Sequence, residues 1–172
     1  MAKAATAQRT SATSFSDILN TKASDVERPE AMPTGDYVCV VTGQPRQDKS
    51  AKKQTPFVEF TYKILEAMSS VDEEALDAWL TNKKGEKKKL SECTIKDTYY
   101  LVEKALYRLT DMLVACGVAE ADENGEIITD KSLAQLIEEA PGSQLIVTMR
   151  HESFQDGTGV SAKVASVAAV EE

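Results

Sequence analysis

Lysine and arginine gather in two short stretches of this chain. Arg46, Lys49, Lys52 and Lys53 lie in one, and Lys83, Lys84, Lys87, Lys88 and Lys89 in the other. Phe57 follows the first stretch, Tyr99 and Tyr100 follow the second, and Arg150 adds a late cation. Cations beside aromatics suit one chemistry above others: neutralising phosphates while rings stack on bases. A plainer reading of the same residues is that the lysines solvate polar loops and Phe57 covers the end of a strand.

Catalytic and metal chemistry find little support. Ser50-Ala51-Lys52-Lys53 fits an S-x-x-K pattern, but it stands in a polar stretch without a helix start or companion motifs. His151 is the only histidine, with no identifiable acidic partner for nucleophilic catalysis. Cys39, Cys93 and Cys116 are widely spaced and never approach a C-x-x-C pattern, so they read as buried or incidental thiols. The segment 120–131 fails as a calcium loop. With Gly125 at the sixth position, Lys131 falls where a bidentate Glu is required. Neither a Walker loop nor G-x-G-x-x-G occurs. The expectation is a protein that is not an enzyme and needs no cofactor or metal.

The elements that must carry the cations and aromatics follow from hydrophobic period. Pro33-Thr34-Gly35-Asp36 is a turn that opens a first strand over 36–42, with Tyr37, Cys39 and Val41 on one face and Val38 and Val40 on the other. A polar loop is expected over 43–55. The second strand, from Phe57 to about Leu65, alternates Val58, Phe60, Tyr62 and Ile64 inward and leaves Phe57 on the polar face. A short acidic-started helix is expected over 71–80, then a turn around Gly85. The third strand lies within 90–101, with Cys93 and Ile95 inward. Helical spacing of Val102, Ala105, Leu106, Leu109, Leu113 and Cys116 predicts a helix ending at Gly117. Thr129 or Asp130 is expected to cap the next helix, which stops at Pro141-Gly142. Strands over 144–152 and 160–170 complete the chain.

This order predicts a mainly β (α+β) domain over 33–172: a five-stranded OB-like barrel with a helix pair between strands 3 and 4. Residues 1–32 read as a flexible arm with a short helical turn near 14–20 that presents Phe15, Ile18 and Leu19. The net charge of −8 is unevenly spread, with acid concentrated in 71–77 and 120–139, so a local positive surface survives the total. No apolar run is long enough to span a bilayer, and the N-terminus lacks the apolar core of a signal peptide. A cytosolic protein is expected.

Arg28-Pro29, Pro33-Thr34-Gly35-Asp36-Tyr37, Lys53-Gln54-Thr55-Pro56-Phe57-Val58-Glu59-Phe60, Lys104-Ala105-Leu106-Tyr107-Arg108-Leu109 and Ala140-Pro141-Gly142 carry a resemblance. Together they resemble small tailed-bacteriophage proteins that look like OB-fold single-stranded-DNA-binding proteins. The resemblance implies an accessory of phage replication or recombination, working in the cytoplasm of the infected host. Its implied partners are single-stranded DNA and other replication proteins. The long acidic tail common in that class is reduced here to Glu171-Glu172. On this reading Arg46, Lys49, Lys52, Lys53, Lys87, Lys88 and Arg150 neutralise phosphates, and Phe57 with Tyr99 or Tyr100 stacks bases. The alternative is a virion or other protein-interaction module that docks, or self-associates, through the arm without nucleic acid.

Overall fold

The computed structural model describes Ser16, Leu19, Asn20, Lys22 and Ala23 together with residues 29–171. The chain divides into two units, Met1–Glu30 and Ala31–Glu172. In the first, the Asn20 amide donates to the Ser16 carbonyl at 3.0 Å. Phe15 and Ile18, two of the three apolar residues expected on that turn, lie outside the described residues.

The second unit begins with β1 (Gly35–Lys49) and β2 (Pro56–Ala67), an antiparallel pair. Tyr37, Cys39 and Val41 point into the core with Val58, Phe60, Tyr62 and Ile64, as their alternation predicts. β1 runs past the expected end at Thr42. Its ladder shifts between Thr42 and Arg46, where Gly43 takes a positive φ of 65°, and then resumes as Arg46↔Glu59 and Lys49↔Pro56. The polar loop expected over 43–55 therefore contracts to residues 50–55, and Arg46 and Lys49 are strand residues. Pairing with the start of β2 outweighs the low β preference of this polar stretch.

Helix α1 (Glu73–Leu80) starts two residues later than expected, because the Asp72 carboxylate caps it by accepting from the Ala75 amide at 2.7 Å. A 3-10 turn, Leu90–Glu92, leads into β3 (Thr94–Tyr100), so Cys93 precedes the strand and packs half-buried against the core from there. Helix α2 (Leu106–Ala115) is shorter than its apolar period suggests, since Glu103–Ala105 forms a 3-10 turn ahead of it. Helix α3 (Leu133–Glu139) is capped by Ser132 and not by Thr129 or Asp130. Ser132 and Gln135 form a reciprocal capping box, each side chain accepting from the other's amide. Two tight turns follow α1 and α2 and share one device. Asn82 Oδ1 accepts from the Lys84 and Glu86 amides, and Asp122 Oδ1 from those of Asn124 and Glu126. The segment that fails as a calcium loop is this second turn.

β4 (Gln144–Ser153) pairs with β1, and β5 (Val160–Ala169) pairs with β4. The sheet order is β3-β2-β1-β4-β5, antiparallel throughout, so the two edge strands run parallel to each other. The expected barrel does not close: β3 and β5 share no ladder. The unit is mainly β, an open sheet accompanied by α1, α2 and α3, with α2 and α3 between β3 and β4 as expected. Helix α2 packs against both β3 and β5.

Gly35 is the tightest point of the chain's entry into the sheet. Its φ is +131°, and a Cβ there would lie 2.7 Å from Val71 Cγ2 and 3.0 Å from the Ser70 carbonyl. Gly35→Ala is expected to cost about 2–3 kcal/mol, combining overpacking with an unfavourable backbone. Urea unfolding should show a lower midpoint at unchanged slope. An unchanged midpoint would mean that the Ser70–Val71 segment yields freely.

Candidate nucleic-acid interface

Committing Val58, Phe60, Tyr62 and Ile64 to the core turns Phe57, Glu59, Thr61 and Lys63 to the outer face of β2. The ladder sets them in rows with β3: Phe57 faces Tyr100, Glu59 faces Thr98, Thr61 faces Lys96, and Lys63 faces Thr94. β1 contributes Asp48 opposite Phe57 and Arg46 opposite Glu59. At one end of this face the Arg46 guanidinium lies 5.3 Å from the centre of the Phe57 ring. Phe57 meets Tyr100 edge to face at 6.2 Å. Tyr100 is 46% exposed, whereas Phe57 is only 8% exposed beneath it. Phe57 is thus the covered residue of the plainer reading, and Tyr100 presents the accessible ring.

Lys49, Lys52 and Lys53 are exposed on the hairpin that adjoins this end of β2, since Lys49 pairs with Pro56. No ion pair engages these three lysines among the described residues. The acidic side chains of the face are already occupied. Asp48 pairs with Arg46 at 3.3 Å, and Glu59 stands 3.9 Å from Lys96. The second lysine cluster is not part of the same patch. Lys87 pairs with Asp77, and the segment reaches β3 at Thr94, opposite Lys63. Six residues of strand separate Lys63 from Phe57, roughly 20 Å at about 3.3 Å per residue.

Arg150 is on β4 and lines a groove of about 800 Å³ between the two edge strands, together with Tyr100, Lys96, Arg108 and Lys163. Lys163 pairs with Glu152, whose carboxyl it holds below the usual range. Lys96, Arg108 and Lys163 were not singled out by sequence reasoning. They are isolated cations in separate elements, and only the open seam gathers them.

Tyr99 differs from Tyr100 in every respect that matters for stacking. It is 3% exposed, and its ring packs edge to face on Phe60 at 5.8 Å. Its hydroxyl donates to the Asp97 carboxylate at 2.5 Å, and the Tyr62 hydroxyl donates to the same oxygen at 3.2 Å. The Arg108 guanidinium lies 5.7 Å from the Tyr99 ring centre. Tyr99 therefore offers no face to a base. Burial raises the Asp97 pKa, against the opposing pull of both phenols and Arg108. Burial likewise pushes the Cys39 thiol up to about 12 and the Cys116 thiol to about 11, and all three cysteines are free. His151 ties down the chain before β1, its Nε2 donating to the Met32 carbonyl at 2.8 Å. Among the described residues no cluster of His, Cys, Asp or Glu is placed to hold a metal, and no helix is long and apolar enough to cross a membrane.

Asp97 makes stability depend on pH with a definite sign. Between the unfolded carboxylate value of about 4 and the raised folded value, the folded state holds a proton that the unfolded state has released. The stability contributed by that proton is complete below about pH 4 and is lost as pH rises through the folded value. Asp97→Asn keeps an acceptor for both phenols and removes the titration. In urea unfolding from pH 4 to 8, the variant is expected to gain stability relative to the parent as pH rises. A difference constant across that range would contradict the raised pKa.

No curated protein matches the chain. A family model described as Protein of unknown function (DUF669) matches residues 19–158, a span that includes β1 through β4. The chain belongs to the DUF669 family.

Proposed function

We propose that this protein binds single-stranded DNA without strong sequence preference, as an accessory to replication or recombination in a tailed phage. The observation that carries the reading is the Arg46–Phe57–Tyr100 row beside Lys49, Lys52 and Lys53. An accessible ring backed by a second ring, next to cations without ion pairs, is the combination that a stacked base and its phosphate require. The strand order, with helices between β3 and β4, agrees with a partly open OB fold, which takes oligonucleotides on its β2–β3 face and on the hairpin loop between β1 and β2. Phe57 acts here as a positioning residue that holds the Tyr100 ring. Asp48 and Glu59 temper the site, because a phosphate must draw Arg46 or Lys96 away from a carboxylate. Affinity should therefore rest on stacking and on the hairpin lysines.

Fluorescence anisotropy with a labelled oligo-dT of about 30 nucleotides, against a duplex control, tests this directly. Salt-sensitive preference for the single strand is the expected result. Tyr100→Ala should weaken binding by about 1–3 kcal/mol, roughly 5- to 150-fold, while Tyr100→Phe retains it. Affinity unaffected by Tyr100→Ala at low and high salt would take the stacking site off this face.

Reversing Lys52 and Lys53 to Glu removes two phosphate contacts. The slope of log affinity against log salt should shrink by about 1.4, at about 0.7 per contact for a single strand. An unchanged slope would remove the hairpin from the site.

A further inference from the structure

The hydrogen-bonded ladder ends at β3 on one side of the sheet and at β5 on the other. Between these edges lies the groove, walled by residues 94–98 of β3 and residues 162–165 of β5. Both runs belong to strands with one unpaired side. β3 and β5 are the edge strands, and their outward N–H and C=O groups have no ladder partner among the described residues. The natural complement of such an edge is another extended peptide backbone. Because β3 and β5 run parallel, a single strand antiparallel to one is antiparallel to the other and can pair with both. A nucleic-acid backbone has no matching ladder of donors and acceptors.

The side chains define what that strand would carry. Met32, Ile95 and Met149 form a buried apolar floor beneath the groove, and half-buried Ala162 and Val164 line it. Lys96, Arg108, Arg150 and Lys163 supply positive charge in a chain of net charge −8. Of the carboxylates present, Asp97 is taken up by the Tyr62 and Tyr99 hydroxyls and Glu152 by Lys163. No ion pair engages Arg108 or Arg150 among the described residues. We propose that the β3–β5 groove receives an extended acidic segment of a partner protein, its apolar side chains alternating with carboxylates, which completes the sheet by β-augmentation. This site adjoins the β2–β3 face, with Lys96 and Tyr100 at their common border, and does not depend on DNA binding there.

The probe is a capped, fluorescein-labelled octapeptide of alternating Glu and Val, titrated into the full chain at low salt. Saturable binding is expected, at least tenfold tighter than for a Lys–Val peptide of the same pattern and at least tenfold weaker in Arg150→Ser. A Glu–Pro peptide keeps the charge but lacks every second amide N–H, and it should bind at least tenfold more weakly. Hydrogen exchange should slow at residues 94–98 and 162–165 when the Glu–Val peptide is bound, whereas oligo-dT alone should leave residues 162–165 unprotected. Equal binding of the Glu–Pro peptide would reduce the groove to a patch of charge and overturn the proposal. Absence of binding, or unprotected edges, would do the same. Protection of residues 162–165 by oligo-dT alone would assign the groove to nucleic acid instead.

Discussion

The inward stripe Val58-Phe60-Tyr62-Ile64, set against Tyr37, Cys39 and Val41, is the constraint on which the rest of the molecule depends. All seven side chains are essentially withdrawn from water, and each apolar group of this size contributes about 1.5–3 kcal/mol when fully buried. Strand side chains alternate with a period of two, so burying this stripe also decides what faces outward. A slip of one residue would turn Phe60 and Tyr62 to solvent and drive Glu59 and Lys63 into the core. The outer rows are therefore held by a core they never touch. Arg46 meets Phe57, and Phe57 meets Tyr100, because the inner face allows no other register.

One inward position breaks the apolar rule. Asp97 points to the core from β3, and the Tyr99 and Tyr62 hydroxyls meet its carboxylate there. Burying a carboxylate is costly unless its oxygens are satisfied, and two phenols with Arg108 nearby lessen that cost without removing it. The cluster lies under the seam where β3 leaves its outer edge unpaired. Arg108 of α2 reaches this network over the Tyr99 ring and also lines the groove between the two edge strands.

Charge in this protein is best considered locally. The total is acidic, yet the hairpin after β1 and the β3–β5 groove are both cationic, and at physiological salt charges beyond about 8 Å are largely screened. Asp48 and Glu59 on the outer face are paired with Arg46 and Lys96, which leaves the hairpin lysines, without ion pairs among the described residues, as the stronger phosphate ligands. The family to which the chain belongs carries no assigned function, so a function is argued from these surfaces and not inherited from relatives.

Periodicity alone determined a good deal here. The inward set of β2, the apolar stripe of α2, the helix pair between β3 and β4 and the five strands are all legible, because each depends on the spacing of apolar residues within one segment. Segment ends were less legible: β1 runs seven residues beyond Thr42, because pairing with β2 sustains a stretch whose own composition is that of a loop. The difference between Tyr99 and Tyr100 was legible in principle, since neighbours in a strand must face opposite ways. It was obscured because the inward alternation of β3 includes an aspartate. Three matters lay outside the reach of any local pattern: the separation of the two lysine clusters, the failure of the sheet to close, and the gathering of Lys96, Arg108, Arg150 and Lys163 around one groove. Each depends on which elements become neighbours, and that is decided by packing between residues far apart in the chain.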